Sequence, residues 1–182
     1  MRIVSGKHKS KRITAPRNLP VRPTTDMAKE ALFNILNNRF YLDEISVLDL
    51  FSGIGSISLE FVSRGCKDVI AVDKHAGCIR FLQSTSDSLE AGITCIKGDG
   101  FKYLQDARKK FDFIFADPPY DLDQSQFESI IQIVFERELL NENGLLVIEH
   151  RPKMILSDHI CFQETRKYGS SAFSFFSNSA NS

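Results

Sequence analysis

The chain has 182 residues, 42% of them apolar and 25% charged, an ordinary composition for one domain large enough to bury its own core. No apolar run approaches the roughly 20 residues of a membrane span, and the first residues lack the apolar region of a secretory signal. The formal charge is zero, from 23 basic and 23 acidic residues, which taken whole argues against a strong field for nucleic acid. The charges are unevenly placed, however. Residues 1–25 hold Arg2, Lys7, Lys9, Lys11, Arg12, Arg17 and Arg22 and no acid, while the remaining 157 hold sixteen basic and 23 acidic residues. A solvated terminal segment is the plain reading of such a run. A basic arm on an acidic body is also the asymmetry of polyanion contact.

In chain order, residues 2–22 read as an extended arm or hairpin broken by Gly6, Pro16 and Pro20. Arg22-Pro23-Thr24-Thr25-Asp26 then leads into a helix, with Thr24, Thr25 or Asp26 as its cap. Ala28, Ala31, Leu32, Ile35 and Leu36 form its apolar face. From residue 46 apolar strands alternate with helices: strands over 47–51, 69–73, 93–97, 111–116 and 144–149, helices ending at 63 and over 75–90, 100–109 and 124–138. Continuous apolar strands between amphipathic helices predict an α/β fold, a parallel sheet covered on both faces. Segments 160–167 and 171–177 predict a closing antiparallel pair around Tyr168-Gly169. The organisation expected is a basic arm over 1–25 and a body over 26–182, together one domain. Four scattered cysteines, with Cys95 read as a small buried residue, and four separated histidines give no metal-binding cluster. They predict a reducing, cytoplasmic setting without a structural metal.

In open α/β sheets ligands bind beyond the carboxyl ends of the strands. The first strand ends in Asp49-Leu50-Phe51-Ser52-Gly53-Ile54-Gly55, whose glycines let backbone approach a ligand at a helix N-terminus. The third glycine of the dinucleotide fingerprint is missing, since Ser58 stands there. The second strand ends in Asp73, either a ribose-binding carboxylate or a helix cap. The third is followed by Gly98-Asp99-Gly100, either an adenine contact or another cap. The fourth, 111–116, runs into Asp117-Pro118-Pro119-Tyr120, the most specific signal in the chain. Two prolines stiffen the turn and remove donors, leaving outward carbonyls. Asp117 adds a carboxylate acceptor and Tyr120 a stacking face. Stacking plus two acceptors makes a holder for a planar ring bearing an NH₂ group.

These ordered motifs resemble the class I S-adenosylmethionine-dependent amino-methyltransferases. Arg22-Pro23-Thr24-Thr25-Asp26, Glu30 and Leu32-Phe33-Asn34 resemble more closely the RsmD family, which methylates N2 of guanine 966 in bacterial 16S rRNA. The resemblance implies a Rossmann-like, mostly parallel seven-stranded sheet with helices on both faces and an antiparallel C-terminal strand. It implies cofactor contacts from Thr24, Asp49, Phe51, Ser52, Gly53, Gly55, Asp73, Lys74, Asp99 and Gly100, no metal, and S-adenosylhomocysteine as product. Asp49 and the glycine loop would hold the methionine part, Asp73 the ribose and Asp99 the adenine amine. Asp117, Pro118, Pro119 and Tyr120 would hold the target guanine, presented in a loop or flipped out. Arg2, Lys7, Lys9, Lys11, Arg12, Arg17 and Arg22 would contact RNA, within an assembled or partly assembled small ribosomal subunit, and the protein would act as a monomer. Competing readings are a DNA adenine-N6 or cytosine-N4 methyltransferase, a nicotinamide-dependent oxidoreductase and a non-catalytic RNA-binding module.

Overall fold

The computed structural model of the chain describes residues 1–20 and 24–178; Val21, Arg22, Pro23 and the final four residues lie outside the described residues. The helices are α1 (Asp26–Asn37), α2 (Ser56–Ser63), α3 (Ala76–Ser88), α4 (Gly100–Asp106) and α5 (Gln124–Glu136). The strands are β1 (Ser46–Leu50), β2 (Asp68–Asp73), β3 (Thr94–Lys97), β4 (Phe111–Ala116), β5 (Leu140–His150), β6 (Phe162–Tyr168) and β7 (Ser171–Phe176). All seven pair in one sheet of order β3-β2-β1-β4-β5-β7-β6. The first five are mutually parallel, and β7 runs antiparallel to both β5 and β6. This is the mostly parallel, doubly covered sheet that the alternation of elements predicts.

The burial of each strand follows its place. β1 is buried along its whole length, whereas the edge strand β6 exposes Thr165, Arg166 and Lys167. Charged side chains on an edge discourage pairing with another chain. Two apolar cores flank the sheet. On one face α1, α2 and α3 supply Leu32, Phe33, Leu36, Phe61 and Leu82, joined by Ile3 and Ile13 of the arm. On the other, α4 and α5 supply Leu104, Phe127, Ile130, Ile131 and Val134. A side chain of that size in a closed core costs about 2–5 kcal/mol to truncate.

The arm is a hairpin. Ile3 N–H donates to the Lys11 carbonyl at 3.0 Å and Ile13 N–H to Met1 at 3.0 Å, with an antiparallel bridge between Arg2 and Arg12. It is fastened to α2 through a buried charge cluster. The Glu60 carboxylate accepts the Val4 and Ser5 amides at 2.9 and 3.0 Å and pairs with Lys29 at 3.4 Å and Arg64 at 2.9 Å. Lys29 Nζ donates in turn to the Arg2 carbonyl at 2.6 Å. Burial pulls the Lys29 pKa down, opposed by the neighbouring Glu60 charge.

Four local expectations are corrected. The buried face of α1 is Ala28, Lys29, Leu32, Phe33 and Leu36, with Ala31 and Ile35 only half-buried. The face is rotated because Lys29 turns inward to Glu60. α4 stops at Asp106, and β5 starts at Leu140, where Phe111 already pairs with it before a register shift. Cys95 is half-buried on the edge strand β3 rather than enclosed in the core.

Candidate active site

The strand order reverses between β1 and β4, so the loops after these strands diverge and open a crevice at the carboxyl edge. There lies a cavity of about 570 Å³, within the usual range for small-molecule sites. Its wall includes Thr24, Asp49, Phe51, Ser52, Gly53, Asp73, Lys74, Asp99, Gly100 and all of Asp117-Pro118-Pro119-Tyr120. Residues up to 96 positions apart in sequence, Thr24 and Tyr120, are thus brought to one place. Gly55 is not on the wall. It stands just before α2 at φ +80°, and a Cβ there would lie 2.3 Å from Leu82 Cδ1, so its glycine serves the turn and its packing.

Asp49, at 2% exposure, accepts hydrogen bonds from the Ser58 amide at 3.1 Å and the Ser58 hydroxyl at 2.5 Å. Burial raises its pKa to about 7 against the lowering effect of those bonds. Asp73 accepts the Gly53 amide at 2.8 Å on one oxygen and the His75 amide at 2.7 Å on the other, tying the turn after β1 to the entry of α3. The cap of α3 is His75, whose Nδ1 accepts the Cys78 amide, so Asp73 is not the helix cap. Asp99 is a cap and a wall residue at once: its Oδ1 accepts the Lys102 amide at 3.0 Å at the start of α4. Gly100 follows, where a Cβ would meet the Phe51 ring at 2.8 Å. The Ser52 hydroxyl is buried on the wall with no hydrogen-bond partner.

On the β4 side, the Asp117 amide donates to the Leu50 carbonyl at 3.3 Å, carrying the ladder one step past the strand. Tyr120 Oη lies 3.4 Å from Ser171 Oγ at the start of β7. The two threonines before α1 divide their tasks. Thr25 caps the helix, and Thr24 donates its hydroxyl to the buried Glu149 carboxylate at the end of β5, 2.8 Å away. Sequence reasoning missed Glu149 and Phe101. Phe101 lines the cavity and meets the Phe51 ring edge-on at 5.8 Å. The available signals were an acid closing the apolar run 145–148 and an aromatic residue in the first turn after Asp99-Gly100.

The described basic residues of the arm, Arg2, Lys7, Lys9, Lys11, Arg12 and Arg17, are all exposed and none lines the cavity. Arg2 pairs with Asp26 at 3.2 Å. The Lys7 amide donates to the carbonyl of Ser63, the last residue of α2, whereas Ser56 at the other end of that helix lines the cavity. The hairpin tip therefore lies about 10 Å farther along α2 from the cavity. Arg22 lies outside the described residues. Among the described residues no group of three or more His, Cys, Asp or Glu side chains is placed to hold a metal ion, and no helix is long and apolar enough to cross a membrane.

A family model described as conserved hypothetical protein 95 matches residues 1–177. The chain belongs to this family, the RsmD family of methyltransferases. YlbH of Bacillus subtilis, provisionally named an rRNA methyltransferase, is 32% identical over 88% of each chain. Ribosomal RNA small subunit methyltransferase D of Buchnera aphidicola is 30% identical over 82% of this chain and 75% of its own. Among solved structures, hypothetical protein TTHA0928 of Thermus thermophilus superposes with a TM-score of 0.83 at 26% identity, over 97% of this chain and 98% of that one. The 16S rRNA N2 G1207 methyltransferase RsmC of T. thermophilus, solved with AdoMet and guanosine, shares the class I fold at a TM-score of 0.68 and 20% identity, over 87% of this chain and 44% of that one. For this RsmD-family chain, the crevice between β1 and β4 is therefore the crevice of a class I methyltransferase fold.

Proposed function

We infer that this RsmD-family protein is an S-adenosylmethionine-dependent methyltransferase acting on the exocyclic N2 amine of a guanine in small-subunit rRNA, expected at position 966. One observation carries the reading: the Asp117-Pro118-Pro119-Tyr120 turn shares a single cavity with Asp49, the 51–53 backbone, Asp73 and Asp99. Relatives named as small-subunit rRNA methyltransferases support rRNA as the substrate class.

The residues present fit the cofactor. The unpartnered Ser52 hydroxyl supplies a polar contact, and Asp49, its pKa raised by burial, gains most from a positive group. Asp49 and the loop from Phe51 through Gly53 would hold the methionine part, with Thr24 and Lys74 beside them. Asp73 would take the ribose hydroxyls, since each oxygen that accepts one amide retains a second acceptor position. Asp99 and Gly100 would meet the adenine, Asp99 through the oxygen not used in the cap. When bound, the sulfonium supplies an electrophilic methyl carbon.

The guanine amine is a weak nucleophile because its lone pair is delocalised into the ring. Tyr120 stacks on the base, and the Asp117 carboxylate and Pro118 carbonyl accept from the amine and aim its nitrogen at the methyl carbon. Held by Asp49, the 51–53 loop, Asp73 and Asp99, S-adenosylmethionine would supply the methyl group, the electron pair of its carbon–sulfur bond staying on sulfur as the nitrogen–carbon bond forms. Asp117 stabilises the positive charge that develops on nitrogen, and alignment lowers the barrier further. The amine proton then leaves to solvent, so the step needs no buried histidine. The proposed partner is an assembled or partly assembled small ribosomal subunit in the cytoplasm, met by a monomer through its basic arm.

Mass mapping tests the reading. The protein is incubated with labelled S-adenosylmethionine and, separately, small-subunit rRNA, the assembled subunit and DNA. One methyl on a guanine N2 of the rRNA is expected, free or in the particle, with none on DNA. Label on DNA adenine or cytosine amines would replace the substrate assignment, and label on none of the three would overturn the activity.

A further inference from the structure

The turn that ends in Tyr120 has a neighbour outside the cavity. Arg151, the first residue after β5, lays its guanidinium over the Tyr120 ring, with Cζ 5.1 Å from the ring centroid. That is within cation–π range. Tyr120 lines the cavity and Arg151 does not. Arg151 is exposed and forms no ion pair among the described residues. Stacking uses the flat face of a guanidinium and leaves its in-plane N–H donors available, the geometry that matches a phosphate.

The mount of Arg151 is firm. His150 is fully buried, and burial holds its pKa below the ordinary value, so the imidazole is neutral. Its Nδ1 lies 2.8 Å from the Arg151 carbonyl, which can only accept, so Nδ1 carries the proton. Nε2 then accepts the Ser174 hydroxyl at 2.7 Å across the β5–β7 pair. Ser174 Oγ is itself 2.7 Å from Thr165 Oγ1 on β6. This chain through three strands fixes the backbone from which Arg151 projects. Ser171 at its hydroxyl and Arg151 over its ring both bear on Tyr120.

A nucleotide whose base enters the cavity leaves its phosphates at the rim. The Lys7 tip of the arm lies away at the far end of α2, whereas Arg151 stands over Tyr120 and is followed by exposed Lys153. We propose that Arg151 is a substrate-positioning residue: it backs the Tyr120 ring against the target base, and its outward N–H edge takes a backbone phosphate of the same nucleotide. This rests on the rRNA methyltransferase reading above.

The full-length protein and its Arg151→Ala and Arg151→Lys variants are compared on small-subunit rRNA, with cofactor affinity measured by calorimetry. Arg151→Ala is expected to raise KM for RNA about tenfold and lower the slope of log affinity against log salt by about one, with cofactor affinity unchanged. Arg151→Lys keeps the charge and is expected to restore the slope but not KM, because the stack is lost. Wild-type KM and slope in Arg151→Ala would overturn the assignment. So would equal losses of cofactor and RNA affinity, which mark a merely structural role, or a lysine variant whose slope matches that of alanine. If the wild type transfers no methyl to RNA, the underlying reading fails and this assignment with it. If the wild type is active and Arg151→Ala matches it, only this assignment fails.

Discussion

Among the aspartates that line the cavity, Asp49 alone is buried, and its pKa of about 7 sets a pH signature. The folded value lies above the ordinary 3.8. The ionised group therefore costs the fold nothing below about pH 3.8 and progressively more as pH rises to about 7. A cationic group bound beside Asp49 favours the carboxylate, so binding below about pH 7 must first expel a proton. Cofactor affinity measured by calorimetry is expected to weaken as pH falls from 8 to 6, by up to about tenfold per unit once Asp49 is protonated. Asp49→Asn should bind less tightly at pH 8 and lose that dependence; a variant retaining the wild-type slope would place the titrating group elsewhere. Asp73 and Asp99 show what a lone residue in a sequence leaves open. Each had a ribose- or adenine-binding reading and a capping reading. Asp99 proves to be a cap that also faces the cavity, whereas Asp73 ties the turn after β1 to the entry of α3.

The elements that hold the arm were the least legible part of the chain. The succession of strands and helices and the loops after β1 and β4 follow from apolar runs, capping residues and glycines that act locally, and these were read to within a few residues. Lys29 and Glu60 are 31 positions apart, and a lysine or glutamate on a short helix ordinarily reads as solvated. Their burial together rotates α1 by about one residue and fixes the hairpin to α2. Glu60→Gln leaves Lys29 buried beside a neutral partner, which is expected to cost about 3 kcal/mol in denaturant unfolding. It should also speed hydrogen exchange at the Val4 and Ser5 amides. Unchanged stability and protection would show that the arm is held by Ile3 and Ile13 alone. The same network reaches the cavity wall, since Lys29 Nζ also lies 3.4 Å from Ser56 Oγ.

For the whole molecule, zero net charge is the sum of two opposed regions. The basic arm carries exposed side chains set off from the cavity, and the acidic body supplies the aspartates that line it. Contacts of the first kind position RNA without reading its sequence. Neutralising Lys7, Lys9, Lys11 and Arg12 together is expected to flatten the salt dependence of RNA binding by up to about 3 in slope. Cofactor affinity should stay unchanged, because none of the four lines the cavity; an unaltered salt slope would remove the arm from the RNA interface. The central claim is that one cavity holds cofactor and target amine through separable groups. Its most direct test is Asp117→Ala, with cofactor affinity by calorimetry and methyl transfer to small-subunit rRNA measured on the same sample. The account predicts near-wild-type cofactor affinity with transfer abolished, whereas near-normal turnover by the variant would contradict it.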